Sequence, residues 1–287
     1  MEKAFCFYKN RPCMGYRRKL SNESFELNYT WVTFKQFHDL CQQLGNGLKN
    51  YLGLKSRSFV GIASLNRIEW FVADFGCVMK GMVVIPIHHY LSEDSIVEII
   101  NTTNLECIFC SLDVSEKFVS VKEKCPSLRN VVTFPDQTDG SFENLMETDF
   151  ISHQEKLESN KQEIEKPPFL VNFDTIMKRG VLSFLNKEIV RLDSEEIFTI
   201  IFSSGSTGSM KGAVFTDNLM RLTTAYQLRT FFDPLVQISK DSLAHISVPT
   251  ISPYFKKFLL NEKKYRIEKL YSRLSSREEE LEWLQMV

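Results

Sequence analysis

The sequence from position 201 to 212 reads Ile201-Phe-Ser-Ser-Gly-Ser-Thr-Gly-Ser-Met-Lys-Gly212. It is rich in serine, threonine and glycine, and it overlaps an apolar, strand-like stretch over residues 197–202. Glycines let backbone N–H groups converge on an oxyanion, hydroxyl groups donate further hydrogen bonds, and Lys211 adds a compact positive charge. The stretch therefore predicts a phosphate-binding loop. The alternative is a Gly/Ser-rich hairpin turn without a ligand.

The order of these residues excludes two common phosphate loops. A Walker A loop needs adjacent Gly and Lys, then Ser or Thr and a helix, whereas Lys211 lies between Met210 and Gly212. The G-x-G-x-x-G dinucleotide fingerprint is missing as well. Residues 213–216, which follow, have the composition of a second strand. The loop is therefore predicted to join two strands of a hairpin.

Upstream of the loop, strand and helix patterns alternate along the chain. The predicted strands are 30–34, 59–63, 83–87, 105–110 and 130–134, and the predicted helices are 35–51, 67–81, 92–100 and 115–125. The first of these helices is amphipathic, with a buried side formed by Phe34, Phe37, Leu40, Leu44 and Leu48. Such alternation predicts an α/β fold, a mostly parallel sheet with helices on both faces, to which the strand–loop–strand hairpin is added.

The chain divides into four segments by composition. Residues 1–135 are predicted to form an N-terminal α/β subdomain, and residues 136–192 a charged, partly mobile surface excursion. Residues 193–260 carry the second part of the same domain, with the phosphate loop and a helix expected over 218–232. Residues 261–287 are predicted to be a charged helical tail.

Composition and charge restrict the partners of this chain. With 287 residues, 43% apolar content and a net charge of −1, the sequence predicts a soluble globular protein without nucleic-acid binding. Lys80 interrupts the longest apolar run, so no membrane span is expected. The amino terminus lacks the layout of a secretory signal, which indicates a cytoplasmic location. Peripheral association with an intracellular membrane stays open.

The cysteines and histidines give no metal or redox motif. Seven cysteines, an odd number scattered through apolar segments, indicate reduced thiols. Cys107 and Cys110 form a C-x-x-C pair, but within a predicted strand their side chains face opposite sides of the sheet. His88 and His89 are expected to mark the end of a strand. The sequence therefore predicts no metal ligands.

The loop resembles the signature of the adenylate-forming (AMP-binding) enzymes, Tyr/Phe-Thr-Ser-Gly-Ser/Thr-Thr-Gly-x-Pro-Lys-Gly. Ser203 replaces a threonine of this pattern, and Met210 replaces a proline, which removes a constraint on φ. The positions that match are Phe202, Ser204, Gly205, Ser206, Thr207, Gly208, Lys211 and Gly212.

A second stretch, Asn66-Arg-Ile-Glu-Trp70, is similar to the Asn-Arg-x-Glu-Trp block of long-chain acyl-CoA synthetases, as is the strand over 81–87. For Asn66, Arg67, Glu69 and Trp70 we expect a helix cap and a core tryptophan rather than catalytic roles. Together the two stretches identify the chain as similar to the N-terminal domain of a long-chain fatty acid–CoA ligase.

The resemblance implies a two-step reaction that uses ATP, Mg²⁺, a fatty acid and CoA. The fatty acid is adenylated with release of pyrophosphate, and the CoA thiol then displaces AMP. Lys211 and Thr207 are the residues to which it assigns catalysis, and no metal ligand is assigned. The resemblance implies that the phosphates are bound by Ser203, Ser204, Gly205, Ser206, Thr207, Gly208 and Lys211.

The later motifs of these enzymes are not found after Gly212. They are a Tyr-Gly-x-Thr-Glu motif, a Thr-Gly-Asp motif and a catalytic lysine in a mobile C-terminal domain. The sequence is therefore expected to be a ligase truncated before its later catalytic motifs. Two alternatives remain open: a non-catalytic nucleotide- or pyrophosphate-binding protein that keeps the loop, and an interaction protein that uses the sheet domain and the tail.

Overall fold

The computed structural model describes residues 5, 7–20, 24–136, 167–181, 189–191, 193–204 and 209–223. The fold below is that of residues 4–217, which form one compact unit. It opens with an antiparallel pair, β1 (Pro12–Tyr16) and β2 (Thr30–Thr33), followed by the long helix α1 (Phe34–Asn50). The Thr33 hydroxyl accepts from the Gln36 N–H while the Gln36 side chain accepts from the Thr33 N–H, a capping box that starts α1.

In the described residues, a sheet of seven strands forms the centre of the unit. Its strands are β3 (Phe59–Ala63), β4 (Val83–Pro86), β5 (Cys107–Cys110), β6 (Asn130–Thr133), β7 (Leu170–Asn172), β8 (Ile197–Ser204) and β9 (Met210–Thr216). Their spatial order is β7-β6-β5-β3-β4-β8-β9, and every neighbouring pair is parallel except β8 and β9. The crossovers contain α2 (Ile68–Met79), α3 (Glu93–Thr103), α4 (Ser115–Ser120) and α5 (Phe173–Val181).

Apolar clusters cover both faces of this sheet. On one face, α1, α2 and α5 pack on the strands through residues that include Phe37, Leu44, Cys77, Phe109 and Ile176. On the other face, α3 and α4 contribute Ile99, Ile100 and Phe118, which pack with Ile85, Ile108 and Cys110. The prediction of a mostly parallel sheet with helices on both faces is thus confirmed.

Two helices approach each other to a distance that only glycine permits. A β-carbon built on Gly180 of α5 would lie 1.9 Å from the Gln43 carbonyl oxygen of α1, and one on Gly47 would lie 2.3 Å from the Ile176 carbonyl oxygen. Such separations are far below van der Waals contact, so glycine at both positions is a packing requirement.

The predicted helix over 115–125 is too long. The α-helix ends at Ser120, and a 3₁₀ turn over Lys122–Lys124 follows it. The Lys122 ammonium group donates to the Leu128 carbonyl oxygen at 2.6 Å. The segment that connects this helix to β6 buries Val121, Cys125 and Leu128.

The expectation of a surface excursion is wrong for residues 170–181. They form β7 and α5, and Phe173, Ile176 and Met177 are buried in the core. A strand of three residues and a helix of nine are too short to give a clear periodic signal. Residues 137–166 lie outside the described part, so the predicted segment boundaries stay predictions. Residues 217–223 are helical, while the rest of the helix expected over 218–232 and the tail over 261–287 lie outside the described residues.

Candidate functional site

The segment predicted to bind phosphate begins at the carboxyl end of β8. Thr199 of β8 is the register partner of Val84 in the parallel strand β4, and the Thr199 hydroxyl donates to the Val84 carbonyl oxygen at 2.7 Å. This bond is buried and fixes the position of β8 beside β4. In open α/β sheets, ligands bind at the carboxyl ends of parallel strands. The end of β8 therefore lies at the edge of the sheet where a ligand is expected.

Across the hairpin, Ser203 lies directly opposite Lys211, and Ser204 lies opposite Met210. Directly opposite residues of an antiparallel pair point to the same face, so the Ser203 hydroxyl and the Lys211 ammonium group share one face. Both residues are exposed. Among the described residues, no carboxylate forms an ion pair with Lys211. The pair can donate a hydrogen bond and a positive charge to a phosphate.

The structure confirms that a strand, and not a helix, follows the loop, so that the loop lies within a hairpin. Lys211 is the second residue of β9, which excludes the Walker geometry in which a helix follows the lysine. Of the predicted phosphate contacts, the hairpin brings Ser203 and Lys211 together. The side chain of Ser204 and residues Gly205, Ser206, Thr207 and Gly208 lie outside the described residues. Their contacts, and the catalytic roles assigned to Thr207 and Lys211, stay predictions.

Gly212 has a structural reason to be glycine. It lies opposite Phe202, and a β-carbon built on Gly212 would lie 3.0 Å from Phe202 Cζ and 2.9 Å from Ile200 Cγ2. The Phe202 ring packs against the apolar cluster below α3 and α4. The last glycine of the loop sequence therefore makes room for the ring that anchors the hairpin to the core.

One residue at this site, Glu98 of α3, was not predicted from the sequence. Both of its carboxylate oxygens lie 3.2 Å from the backbone nitrogen of Met210, the first residue of β9, whose N–H they accept. Glu98 is half-buried, and among the described residues no basic side chain pairs with it. The two residues are 112 positions apart, so no local pattern could have shown the contact.

The block from Asn66 to Trp70 contains a buried ion pair. Arg67 donates from Nε and Nη2 to the two carboxylate oxygens of Glu69, each at 2.8 Å, and the side chains are 6% and 5% exposed. Arg67 Nη2 also donates to the Pro135 carbonyl oxygen at 2.7 Å. Trp70 is half-buried against the core. The block holds the amino-terminal cap position of α2, which is Arg67, but the Arg67 side chain makes no cap hydrogen bond.

The C-x-x-C pair is separated by the sheet, as predicted. Cys107 belongs to the cluster under α1, α2 and α5, and Cys110 to the cluster under α3 and α4. Burial raises the pKa of Cys110 to about 12 and raises the pKa of Cys107 as well. Both thiols therefore stay protonated, whereas a metal ligand or nucleophile must be a thiolate. His88 and His89 follow Ile87, just beyond the end of β4.

A family model for AMP-binding enzymes matches residues 9–250. The chain belongs to the AMP-binding enzyme family. Among its relatives, this AMP-binding chain is 25% identical over 209 residues to fatty acyl-CoA synthetase B of Dictyostelium discoideum. It is 26% identical over 253 residues to long-chain-fatty-acid–CoA ligase 5 of Mus musculus. It is 28% identical over 224 residues to the peroxisomal long chain acyl-CoA synthetase 7 of Arabidopsis thaliana. These matches cover 73%, 84% and 76% of this chain.

The same matches cover 28%, 32% and 28% of the relatives, so the chain spans about a third of their length. Solved structures agree on the fold. An anthranilate CoA ligase in complex with anthranoyl-AMP has a TM-score of 0.56 at 20% identity, over 77% of this chain and 35% of that one. The adenylation domain of a carboxylate reductase from Mycobacterium chelonae has a TM-score of 0.56 at 15% identity, over 76% and 34%. The mostly parallel α/β sheet is thus shared with adenylate-forming enzymes.

The described side chains of the hairpin fit a phosphate group. Ser203 and Lys211 provide the donor and the charge that a phosphate needs. Over the described ranges, no group of three His, Cys, Asp or Glu side chains is placed to hold a metal ion. Nor does any helix in the same ranges have the length and apolar character to cross a membrane.

Proposed function

We propose that this chain supplies the ATP polyphosphate-binding part of a long-chain fatty acid–CoA ligase. The observation that carries the proposal is the pairing of Ser203 with Lys211 on one exposed face, at the carboxyl end of a strand in a mostly parallel sheet. The relatives support the substrate class, since they are named fatty acyl-CoA synthetases and long-chain-fatty-acid ligases. Fatty acid, ATP and CoA are therefore the proposed substrates.

In the proposed reaction, a carboxylate oxygen of the fatty acid attacks the α-phosphorus of ATP. The bond from the α-phosphorus to its bridging oxygen breaks, and pyrophosphate leaves with the negative charge. The CoA thiol then loses its proton to solvent and its sulfur attacks the acyl carbon, the bond from that carbon to the AMP oxygen breaks, and AMP leaves with the negative charge. Preorganised donors stabilise such developing charge more in the transition state than in the ground state.

The residues of the hairpin are proposed to hold the phosphates that leave. Lys211 would contact the β- and γ-phosphates as a point charge, with Ser203 on the same face. Ser204, Gly205, Ser206 and Gly208 would add hydroxyl and backbone donors, and Thr207 would join Lys211 in catalysis. Mg²⁺, when bound to the nucleotide, would neutralise part of the phosphate charge.

A second function, pyrophosphate or nucleotide binding without turnover, is favoured by one observation. The site residues whose side chains the structure describes, Ser203 and Lys211, supply contacts to phosphate only. Phosphate contacts alone bind a nucleotide without fixing its α-phosphate against the attacking carboxylate.

We further propose a cytoplasmic location, on the grounds that the described cysteines are free thiols and five of them are buried.

Two measurements on the 287-residue chain separate these functions. Calorimetric titration with pyrophosphate tests binding, and isotopic ATP–pyrophosphate exchange with palmitate tests the first half-reaction. Binding together with exchange would support a ligase, and binding without exchange would favour the second function. Absence of binding would overturn both.

A further inference from the structure

Glu98 contacts Met210, a residue at which this chain departs from the loop signature that it resembles. The loop signature that this chain resembles has a proline where Met210 stands, and proline has no N–H and a fixed φ. Methionine restores the N–H and loses the φ constraint. In this structure that N–H is taken up by both carboxylate oxygens of Glu98, each 3.2 Å from the Met210 nitrogen.

Glu98 and Met210 are each fixed by packing against the apolar core. Glu98 lies in the middle of α3, between Ile96 and Ile99, which are buried in the core. The helix is capped by Ser92, whose hydroxyl accepts from the Ser95 N–H at 3.3 Å. Met210 packs its side chain against the same apolar cluster. The carboxylate is therefore presented to β9 by a helix that is fixed to the sheet.

The geometry points to a positioning role for Glu98. We propose that Glu98 fixes the first residue of β9, and with it the adjacent Lys211, in place of the proline ring. This inference rests on the proposed function, because it concerns the orientation of the lysine that would bind phosphate. Charge-assisted hydrogen bonds to a carboxylate are among the stronger polar contacts, so one such bond suffices to hold a strand terminus.

The sign of the effect separates positioning from simple electrostatics. A carboxylate near a phosphate site repels the ligand, so its removal for electrostatic reasons alone would tighten pyrophosphate binding. If Glu98 positions Lys211 instead, Glu98→Ala must weaken binding, by at least about threefold for the loss of a charged hydrogen bond. Glu98→Gln keeps an oxygen that accepts from the Met210 N–H and removes the charge, so its affinity is expected to equal or exceed that of the unmodified chain.

The decisive experiment is a double-mutant cycle between Glu98→Ala and Met210→Pro, read by calorimetric titration with pyrophosphate. Proline is tolerated at the first residue of an edge strand, and β9 is one of the two edge strands of the described sheet. In the Met210→Pro background there is no N–H to hold, so Glu98→Ala is expected to change the affinity no further. Glu93→Ala, which removes an exposed glutamate from the same helix, is the matched control and should bind as the unmodified chain does.

A second arm uses no ligand. Hydrogen exchange of the Met210 amide should be slow in the unmodified chain and in Glu98→Gln, and about tenfold faster in Glu98→Ala. Tighter binding by Glu98→Ala, an equal loss in the Met210→Pro background, or unchanged amide exchange would overturn the proposal. Failure of the unmodified chain to bind pyrophosphate would overturn the proposed function. The exchange arm would then still support or overturn the hold of Glu98 on Met210.

Discussion

Lys211 and Ser203 are direct partners across the β8–β9 hairpin, and both are exposed on the same face. Neither residue contributes to the apolar core, so a substitution there changes the charge and the donors of the site without opening a cavity. This separation of binding from packing makes the site testable by truncation of single side chains.

Lys211→Ala and Thr207→Ala should each weaken pyrophosphate or ATP binding by about 1–3 kcal/mol, the usual loss for a charge-assisted contact. The free energy of unfolding should stay as it is in the unmodified chain. Lys55→Ala is the matched control, because Lys55 is an exposed lysine shortly before β3. It lies toward the amino ends of the parallel strands, away from the carboxyl end of β8 where the hairpin loop begins. Calorimetric titration of the three variants checks this prediction, and unchanged affinity in the first two would show that the loop is only a turn.

The buried pair of Arg67 and Glu69 should contribute to stability and not to phosphate binding. Glu69→Gln leaves the guanidinium group without its carboxylate partner at a site where the Arg67 side chain is 6% exposed, which should cost about 3 kcal/mol. The double variant Arg67→Met/Glu69→Leu should lose less free energy of unfolding than the single variants Arg67→Met and Glu69→Leu added together, because no unpaired charge remains. Urea unfolding measures these differences, and reduced pyrophosphate affinity in a folded Glu69→Gln protein would contradict the structural role.

Gly180→Ala should destabilise the chain strongly, by about 3 kcal/mol or more. The new methyl group would lie 1.9 Å from the Gln43 carbonyl oxygen, a backbone atom, so α1 and α5 would have to move apart. Gly212→Ala is the comparison: its methyl group would meet the ends of the Ile200 and Phe202 side chains, which can shift. Equal urea midpoints for the two variants would show that the helix approach carries no such constraint.

Asp74 should make the chain less stable as the pH rises. Burial raises the pKa of Asp74 from its ordinary value of 3.8 to about 6. Between these two values the folded state holds a proton that the unfolded state has released, so the free energy of unfolding falls as the pH increases and stays low above the folded pKa.

The matching test is Asp74→Asn, which removes the charge that the folded state must bury. At pH 7 the variant should be more stable than the unmodified chain by up to about 3 kcal/mol, less in practice because Asp74 keeps part of its exposure. Asp94→Asn, at an exposed position of α3, controls for the loss of one negative charge. Urea unfolding over a pH series that shows no gain for Asp74→Asn above pH 6 would contradict the assigned burial cost.

The sequence by itself determined the local elements and the type of site. Short apolar runs located β3 to β6, and apolar residues at helical spacing located the helices between them, because each pattern depends only on residues a few positions apart. The helix predicted over 92–100 does start there: Ser92 caps α3 by accepting from the Ser95 N–H. The order of Ser, Thr, Gly and Lys around Lys211 indicated a hairpin loop for phosphate, and the strand that follows confirmed the hairpin.

Tertiary structure alone decided which of these elements meet. Thr199 joins Val84 across 115 positions, and Glu98 reaches Met210 across 112, so no local period carries either contact. The same holds for Gly180, whose need for glycine comes from the Gln43 carbonyl oxygen of another helix. These contacts follow from how two apolar faces pack on one sheet, and that packing is fixed by the summed burial of the whole core rather than by any single stretch of sequence.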